Sequence, residues 1–227
     1  MIAAAHQPCY LPNFAFFYKM SRADVFVLAD DVQYTTNHLV NRAKIKTVRG
    51  ATWLTVPVLT RGRQRQLINQ VKISTEQNWR KKHWNTLMMN YKSAAYFELY
   101  FDFFENLYRK ERRYLIDLNL EAIDYLAAAF NIRSRIVLSS SLNVKLHGRE
   151  WLMKIMEKVR ADVYLTDSAF QTYLSPQEFA KRSLQLRFTT CREPIYHQAF
   201  GEFVAGLSVI DLLFNEGERS YELLIGS

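Results

Sequence analysis

The sequence predicts an α/β protein: a Rossmann-like, mostly parallel sheet flanked by helices, carrying an inserted antiparallel β-hairpin and a helical segment. Three observations predict it. The chain opens with a short apolar run, a stretch of helical spacing and a second apolar run. From Arg135 onward strand-like and helix-like stretches alternate again. Between these halves lie a two-armed, turn-centred segment and a long proline-free helical stretch.

Ile2 to Ala5 and Asp24 to Ala29 read as buried strands, and Asn13 to Arg22 ("NFAFFYKMSR") as the helix that crosses between them. This βαβ opening implies a parallel sheet with a right-handed connection. Ligand sites in such sheets form outside the carboxyl ends of the strands. Two polar stretches fall there: "HQPCYLP" (6–12) and "DDVQY" (30–34).

An insertion of about residues 37–73 follows. "NRAKIKT" and "TWLTVPV" flank an Arg49-Gly50 turn and read as a hairpin. Period-two alternation puts Arg42, Lys44 and Lys46 on one face of its first arm. "QLINQVKIS" offers a further strand, preceded by a loop with Arg61, Arg63 and Arg65.

From about 75 to 131 the pattern is helical with a break at "SAAYF", and Trp79, His83, Leu87 and Tyr91 recur at i, i+4 on one face. "RIVLS", "DVYLT" and "LQLRF" then read as strands. They alternate with helices at Arg149 to Val159 and Pro176 to Arg182, before a last helix, "SVIDLLFN", stops at Gly217. No repeat or Gly/Pro/Ser-rich linker divides the chain, so residues 1–227 read as one α/β domain.

With 49% hydrophobic residues and no low-complexity run, the chain has the composition of a packed protein. No apolar run approaches the ~20 residues of a membrane helix. "MIAAAHQPCY" lacks the basic and long apolar parts of a signal peptide, so the expected location is cytoplasmic. Cys9 and Cys191 are far apart, with no metal-ligand spacing; they are expected to be reduced, and no metal site is expected. No glycine precedes Gly50, which excludes a phosphate-binding G-x-G-x-x-G turn at the first strand. The net charge of +8 is uneven: Thr35 to Lys92 holds 12 lysines and arginines against Glu76 alone, a local +11, while the remainder carries −3. Such a field attracts polyanions, although charge runs commonly form solvated faces.

His6 can carry a proton near neutral pH and Gln7 both donates and accepts, so both are candidate catalytic groups, with Tyr10 beside them as a substrate contact. Asp31 and Gln33, just past the second strand, are candidates for a base and an orienting group. Asn41, Arg42, Lys44 and Lys46 are candidate contacts for a phosphorylated substrate. Ser140 in "SSSLN" and Tyr173 in "DSAFQTYL" stand at later strand ends. Each has a structural alternative: capping serines, an Asp30 or Asp31 ion pair with Arg42 or Lys44, and a satisfied core histidine at His83. No nucleophile elbow or Cys-His pair with convincing context is visible.

Taken together, "HQPCYLP", "ADVFVLADDVQY", "NRAKIKT", "WLTVPV", "SSL" and "FVAGLSVIDLLFNEG" resemble the WbqC-like family from Ile2 to Gly217. The family is associated with bacterial O-antigen and other surface-polysaccharide gene clusters. The resemblance implies an amino-acid, glycine-type transferase acting on an amino sugar. Two departures bear on the substrate: Asn13 stands where the family pattern has tryptophan, and "YLTDSAF" replaces a glycine-rich segment. A fainter similarity is to the nucleotidylyltransferase superfamily that includes pantothenate synthetase. There Tyr10 and Asn13 occupy the positions of its two loop histidines.

The expectation is therefore an enzyme that joins an amino acid to the amine of a nucleotide-linked sugar. His6 or Asp31 serves as base, Gln7 and Gln33 orient the reactants, and Arg42, Lys44 and Lys46 meet the phosphates. The sequence identifies no cofactor, acyl donor or oligomeric state. An ATP-dependent nucleotidyltransferase or ligase is the alternative. A nucleic-acid or polyanion binder using residues 35–92 ranks third, because no RNA- or DNA-binding signature is present.

Overall fold

A computed structural model describes residues 1–63 and 65–226. Its centre is a five-stranded sheet built from β1 (Ile2–His6), β2 (Val25–Leu28), β5 (Arg135–Leu138), β6 (Val163–Asp167) and β7 (Gln185–Thr189). The order is β5-β2-β1-β6-β7, and every neighbouring pair is parallel. The chain steps outward from β1 on one side and then returns to add β6 and β7 on the other. The strand order therefore reverses between β1 and β6, the topological switch point of a doubly wound sheet.

Four helices link or flank these strands: α1 (Phe14–Ser21) between β1 and β2, α5 (Gly148–Lys158) before β6, α6 (Pro176–Ala180) before β7, and α7 (Ile210–Glu216) near the C-terminus. Alternate residues of β1 feed two cores. Ala4 packs with Phe16, Phe17, Phe26 and Leu165 on the α1 side. Ala3 packs with Val25, Val27, Ile155 and Phe179 on the α5 and α6 side. Alanines are poor strand formers in isolation, but in a strand covered on both faces their small size admits large aromatic neighbours.

The two-stranded sheet of β3 (Arg42–Thr47) and β4 (Gly50–Thr55) is the expected hairpin, with Arg42 opposite Thr55 and Lys46 opposite Ala51. The helical segment resolves into α2 (Trp79–Tyr91), α3 (Phe97–Arg109) and α4 (Leu115–Ala129), with the first break at "SAAYF". Trp79, His83, Leu87 and Tyr91 form the buried face of α2, as their spacing predicts.

Three details depart from the expectation. "QLINQVKIS" is no strand: it holds a 3-10 turn at Ile68–Gln70 flanked by single β-bridges. The Asn69 amide N–H donates to Asp30 O at 2.8 Å and its side chain to Asp30 Oδ2 at 3.2 Å, bending the segment toward the end of β2. The three cations of β3 do not share one environment either, because Lys46 is buried beneath residues 198–202 while Arg42 and Lys44 are half-buried. Finally, Gly217 ends α7 but α8 (Arg219–Ile225) follows it. Gly217 is at φ +54°, and a Cβ there would lie 2.5 Å from the Tyr96 ring, so only glycine fits this close approach.

Candidate functional site

A cavity of about 630 Å³ opens at the carboxyl ends of β1 and β6, at the switch point. His6 and Gln7 line it from β1, Tyr164 and Thr166 from β6, Lys19 from α1, His38 from the loop after β2, and Gly148, Arg149 and Leu152 from α5. Phe170 and Tyr173 form its outer rim, both exposed. Its size suits a small organic ligand.

The imidazole of His6 is held in one tautomer. Its Nδ1 lies 2.9 Å from the Gln7 carbonyl oxygen, which can only accept, so Nδ1 carries the proton and Nε2 keeps its lone pair. Burial, aided by the Lys19 ammonium, lowers its pKa to about 4, so the ring is neutral at pH 7. Lys19 is itself buried and donates to Asp167 Oδ2 at 2.8 Å. The Cys9 thiol donates to the same Gln7 carbonyl at 3.4 Å; burial pushes it up to about 12, which leaves no nucleophilic thiolate.

The loop bearing these groups is stapled from several sides. The Asn119 side chain on α4 donates to Pro8 O at 2.9 Å and Val40 O at 2.8 Å. Tyr10 N–H donates to Leu39 O at 3.0 Å, and the next residue, Leu11, sits at φ +40°. A buried leucine in that region is strained by about 1 kcal/mol or more and persists only where neighbours over-determine it.

A second cavity, of about 710 Å³, lies beside the first at the β2 end of the sheet. Asp31, Gln33, Leu67 and Arg65 line one side, and Val144 to Gly148 with Trp151 the other. Gly148 lines both cavities, so the first turn of α5 is the partition between them. The neighbouring Asp30 is structural. Its Oδ1 accepts from Ser140 N–H at 2.9 Å and its Oδ2 from Asn69, tying β2 to β5. The Ser139 hydroxyl bonds to Asp31 Oδ1.

The residues named from the sequence thus separate. His6, Gln7 and Tyr173 meet in the first cavity, and Asp31 and Gln33 in the second. Tyr10 is fully buried, its hydroxyl 3.0 Å from His83 Nδ1 and 2.5 Å from the Tyr108 hydroxyl, so it reaches neither. Ser140 spends its amide on Asp30. Asn41 donates its side-chain amide to Val56 O at 2.9 Å within the interior. Arg42 lies 4.2 Å and Lys44 5.0 Å from the Trp53 ring centroid, as cation–π pairs. The hairpin meets the far side of the "HQPCYLP" loop around a crevice of about 20 Å³, room for a water at most. Among the described residues the basic hairpin therefore lines neither cavity, and the expected phosphate contacts Arg42, Lys44 and Lys46 lie away from both.

The sequence pattern of the WbqC-like protein family matches residues 7–222. The chain belongs to the WbqC-like family. It is 30% identical over 220 residues to the uncharacterized protein Rv1507c of Mycobacterium tuberculosis, an alignment covering 96% of this chain and 95% of the relative. No solved structure matches it.

In this WbqC-like chain, sequence reasoning did not single out Lys19, Gly148 or Arg149 as site residues, whereas His38 belongs to the polar cluster that follows the second strand. Lys19 sits inside an amphipathic helix where a lysine reads as solvent-facing, and no local pattern distinguishes the one lysine that a strand-end aspartate draws inward. The helix itself was legible, since the expected Arg149 to Val159 matches α5 (Gly148–Lys158) to within one residue, but nothing local shows that its first turn faces a cavity. Among the described residues no cluster of three or more His, Cys, Asp or Glu side chains is placed to hold a metal, and no helix is long and apolar enough to cross a membrane.

Proposed function

We propose that the chain is a transferase of surface-polysaccharide biosynthesis that forms an amide between an amino acid, glycine-like in size, and the amino group of a nucleotide-linked sugar. One observation carries the reading. The switch-point cavity combines an imidazole with a free Nε2 lone pair, the ion-paired cations Lys19 and Arg149, and two exposed aromatic rings.

In the step proposed, the sugar amine attacks the carbonyl carbon of an activated amino acid. The new C–N bond forms, the bond to the acyl leaving group breaks, and the proton lost by the nitrogen passes to His6 Nε2. An anionic ligand beside His6 raises its proton affinity above that of the empty cavity. Gln7 orients the acceptor. Asp31 lies in the other cavity and is assigned to binding, which leaves His6 as the base.

The test is thermal stabilisation by nucleotide sugars, ATP and short oligonucleotides at two salt concentrations, followed by product mass with the ligand that binds. A selective shift with an amino-sugar nucleotide and a product heavier by one aminoacyl group support the reading. Unchanged turnover in a His6→Ala, Asp31→Ala, Gln33→Ala triple variant sinks the site. ATP consumption with pyrophosphate release moves the protein to the ligase class. A shift with oligonucleotides alone, lost at high salt, makes the basic segment the functional surface.

A further inference from the structure

The two cavities differ in chemistry, and the partition between them faces both. Among the described residues Asp31 contributes the only acidic side chain lining either one, whereas Arg65 and Lys145 contribute cations, as do Lys19 and Arg149, which are paired with Asp167 and Glu178 behind the lining. The partition is the start of α5, where Gly148 stands at φ +58° and His147 supplies no side-chain cap. The amides of Gly148, Arg149 and Glu150 find no acceptor among the described residues; the first one satisfied is Trp151 N–H, which donates to His147 O at 3.3 Å. Cations and unfilled amides at the meeting point of two cavities suit a charged linker whose two ends lie on either side.

We infer that the ligand is a nucleoside diphosphate-linked molecule spanning both cavities, with base and ribose at Trp151 and Asp31, diphosphate over Gly148 and Arg149, and its sugar at His6 and Tyr173. This rests on the proposed function and adds a direction to it. Asp31 follows the end of β2, where an acidic side chain in a doubly wound sheet accepts from ribose hydroxyls. One of its oxygens bonds to the Ser139 hydroxyl, which holds the carboxylate in place. Trp151 and Leu67 supply the apolar faces for a base. The opposite direction is disfavoured because no carboxylate among the described residues lines the first cavity, and the nearby Asp167 is paired with Lys19. The sugar end then brings its amine to the His6 imidazole, whose Nε2 lone pair is free, with Tyr173 as a stacking surface.

Calorimetric titration of the full chain with a nucleoside diphosphate and with the matching amino-sugar nucleotide tests this. Trp151→Ala should weaken both ligands about tenfold or more, the loss expected of one base–aromatic stack. Asp31→Asn should also weaken both, and guards against a folding defect in the tryptophan variant. Tyr173→Ala should weaken the sugar-linked ligand selectively. If the sugar nucleotide binds and loses affinity with Tyr173→Ala but not with Trp151→Ala or Asp31→Asn, the spanning pose is wrong while the proposed function survives. If Tyr173→Ala weakens the bare diphosphate as much as the sugar nucleotide, the direction is wrong. If the native chain binds no nucleotide ligand, both readings fall together.

Discussion

Lys19 on α1, which lines the switch-point cavity, and Asp167 at the end of β6 form an ion pair, 2.8 Å from Nζ to Oδ2. The Lys19 side chain is 3% exposed and that of Asp167 31%, so the two partners are not equivalent. The pair joins a helix to the strand on the far side of the switch point and sets a positive charge beside His6. It therefore has both a structural and an electrostatic consequence.

Asp167→Asn should destabilise the fold by about 3 kcal/mol, because it leaves a buried ammonium without its counter-charge. Lys19→Met should cost less, since the carboxylate left behind reaches solvent. Lys19→Met should also raise the His6 pKa from about 4, because a like charge has been removed. Urea denaturation and NMR titration of the histidine ring protons check both. A more severe loss from Lys19→Met, or an unmoved His6, would contradict the geometry.

Two buried histidines contribute to acid sensitivity. Burial lowers His6 and His83 to about 4, below their ordinary value of 6.5. The unfolded chain therefore binds more protons than the folded one between those values. Their contribution to stability is full above pH 6.5 and falls as pH drops toward 4, with a limiting slope of about 1.4 kcal/mol per pH unit for each histidine. His83→Gln should flatten the curve measured by denaturation between pH 4 and 7. A curve equally steep in the variant would assign the loss to other groups.

Asn119→Ala should cost about 2 to 4 kcal/mol, since it strands the Pro8 and Val40 carbonyls and opens a small void. Its effect should concentrate in one place. Amide exchange should accelerate across residues 6–12 more than in β5 or β7, and ligand affinity should fall with it. Uniform acceleration across the sheet would show that Asn119 does not specifically hold the loop.

Lys46 makes the opposite case to a phosphate contact. Its Nζ donates to Gln198 Oε1 at 3.1 Å and to Glu202 O, beside the buried Asp211 that accepts from Tyr91 at 2.7 Å and Tyr196 at 2.8 Å. Burial raises the Asp211 carboxyl above its ordinary range. Lys46→Met should lower stability by about 2 kcal/mol or more, through stranded acceptors and a less compensated acid. The dissociation constant for a phosphorylated ligand, measured on folded protein, should stay within about twofold, well below the tenfold step of 1.4 kcal/mol. A large affinity loss with unchanged stability would return Lys46 to the binding surface.

The sequence by itself determined the parallel α/β frame, because its signals are local. The periods of Ile2–Ala5, Phe14–Ser21 and Val25–Leu28 match their elements nearly residue for residue, and the right-handed crossover leaves few ways to arrange them. It also placed His6 and Asp31 at strand ends, since a strand end follows directly from where an apolar run stops. Tertiary structure alone decided which polar residues share a cavity. Lys46 and Arg42 have the same cationic chemistry on one strand, yet Lys46 is covered by residues 198–202, more than 150 positions away, and no local pattern carries that information. Tyr10 was drawn inward by His83 and Tyr108, while Lys19, which reads as a surface residue of an amphipathic helix, was drawn to Asp167 by an ion pair across 148 positions. Local periodicity sets each backbone segment; the burial of a charge or hydroxyl depends on a distant partner that satisfies it, and only the folded chain brings that partner near.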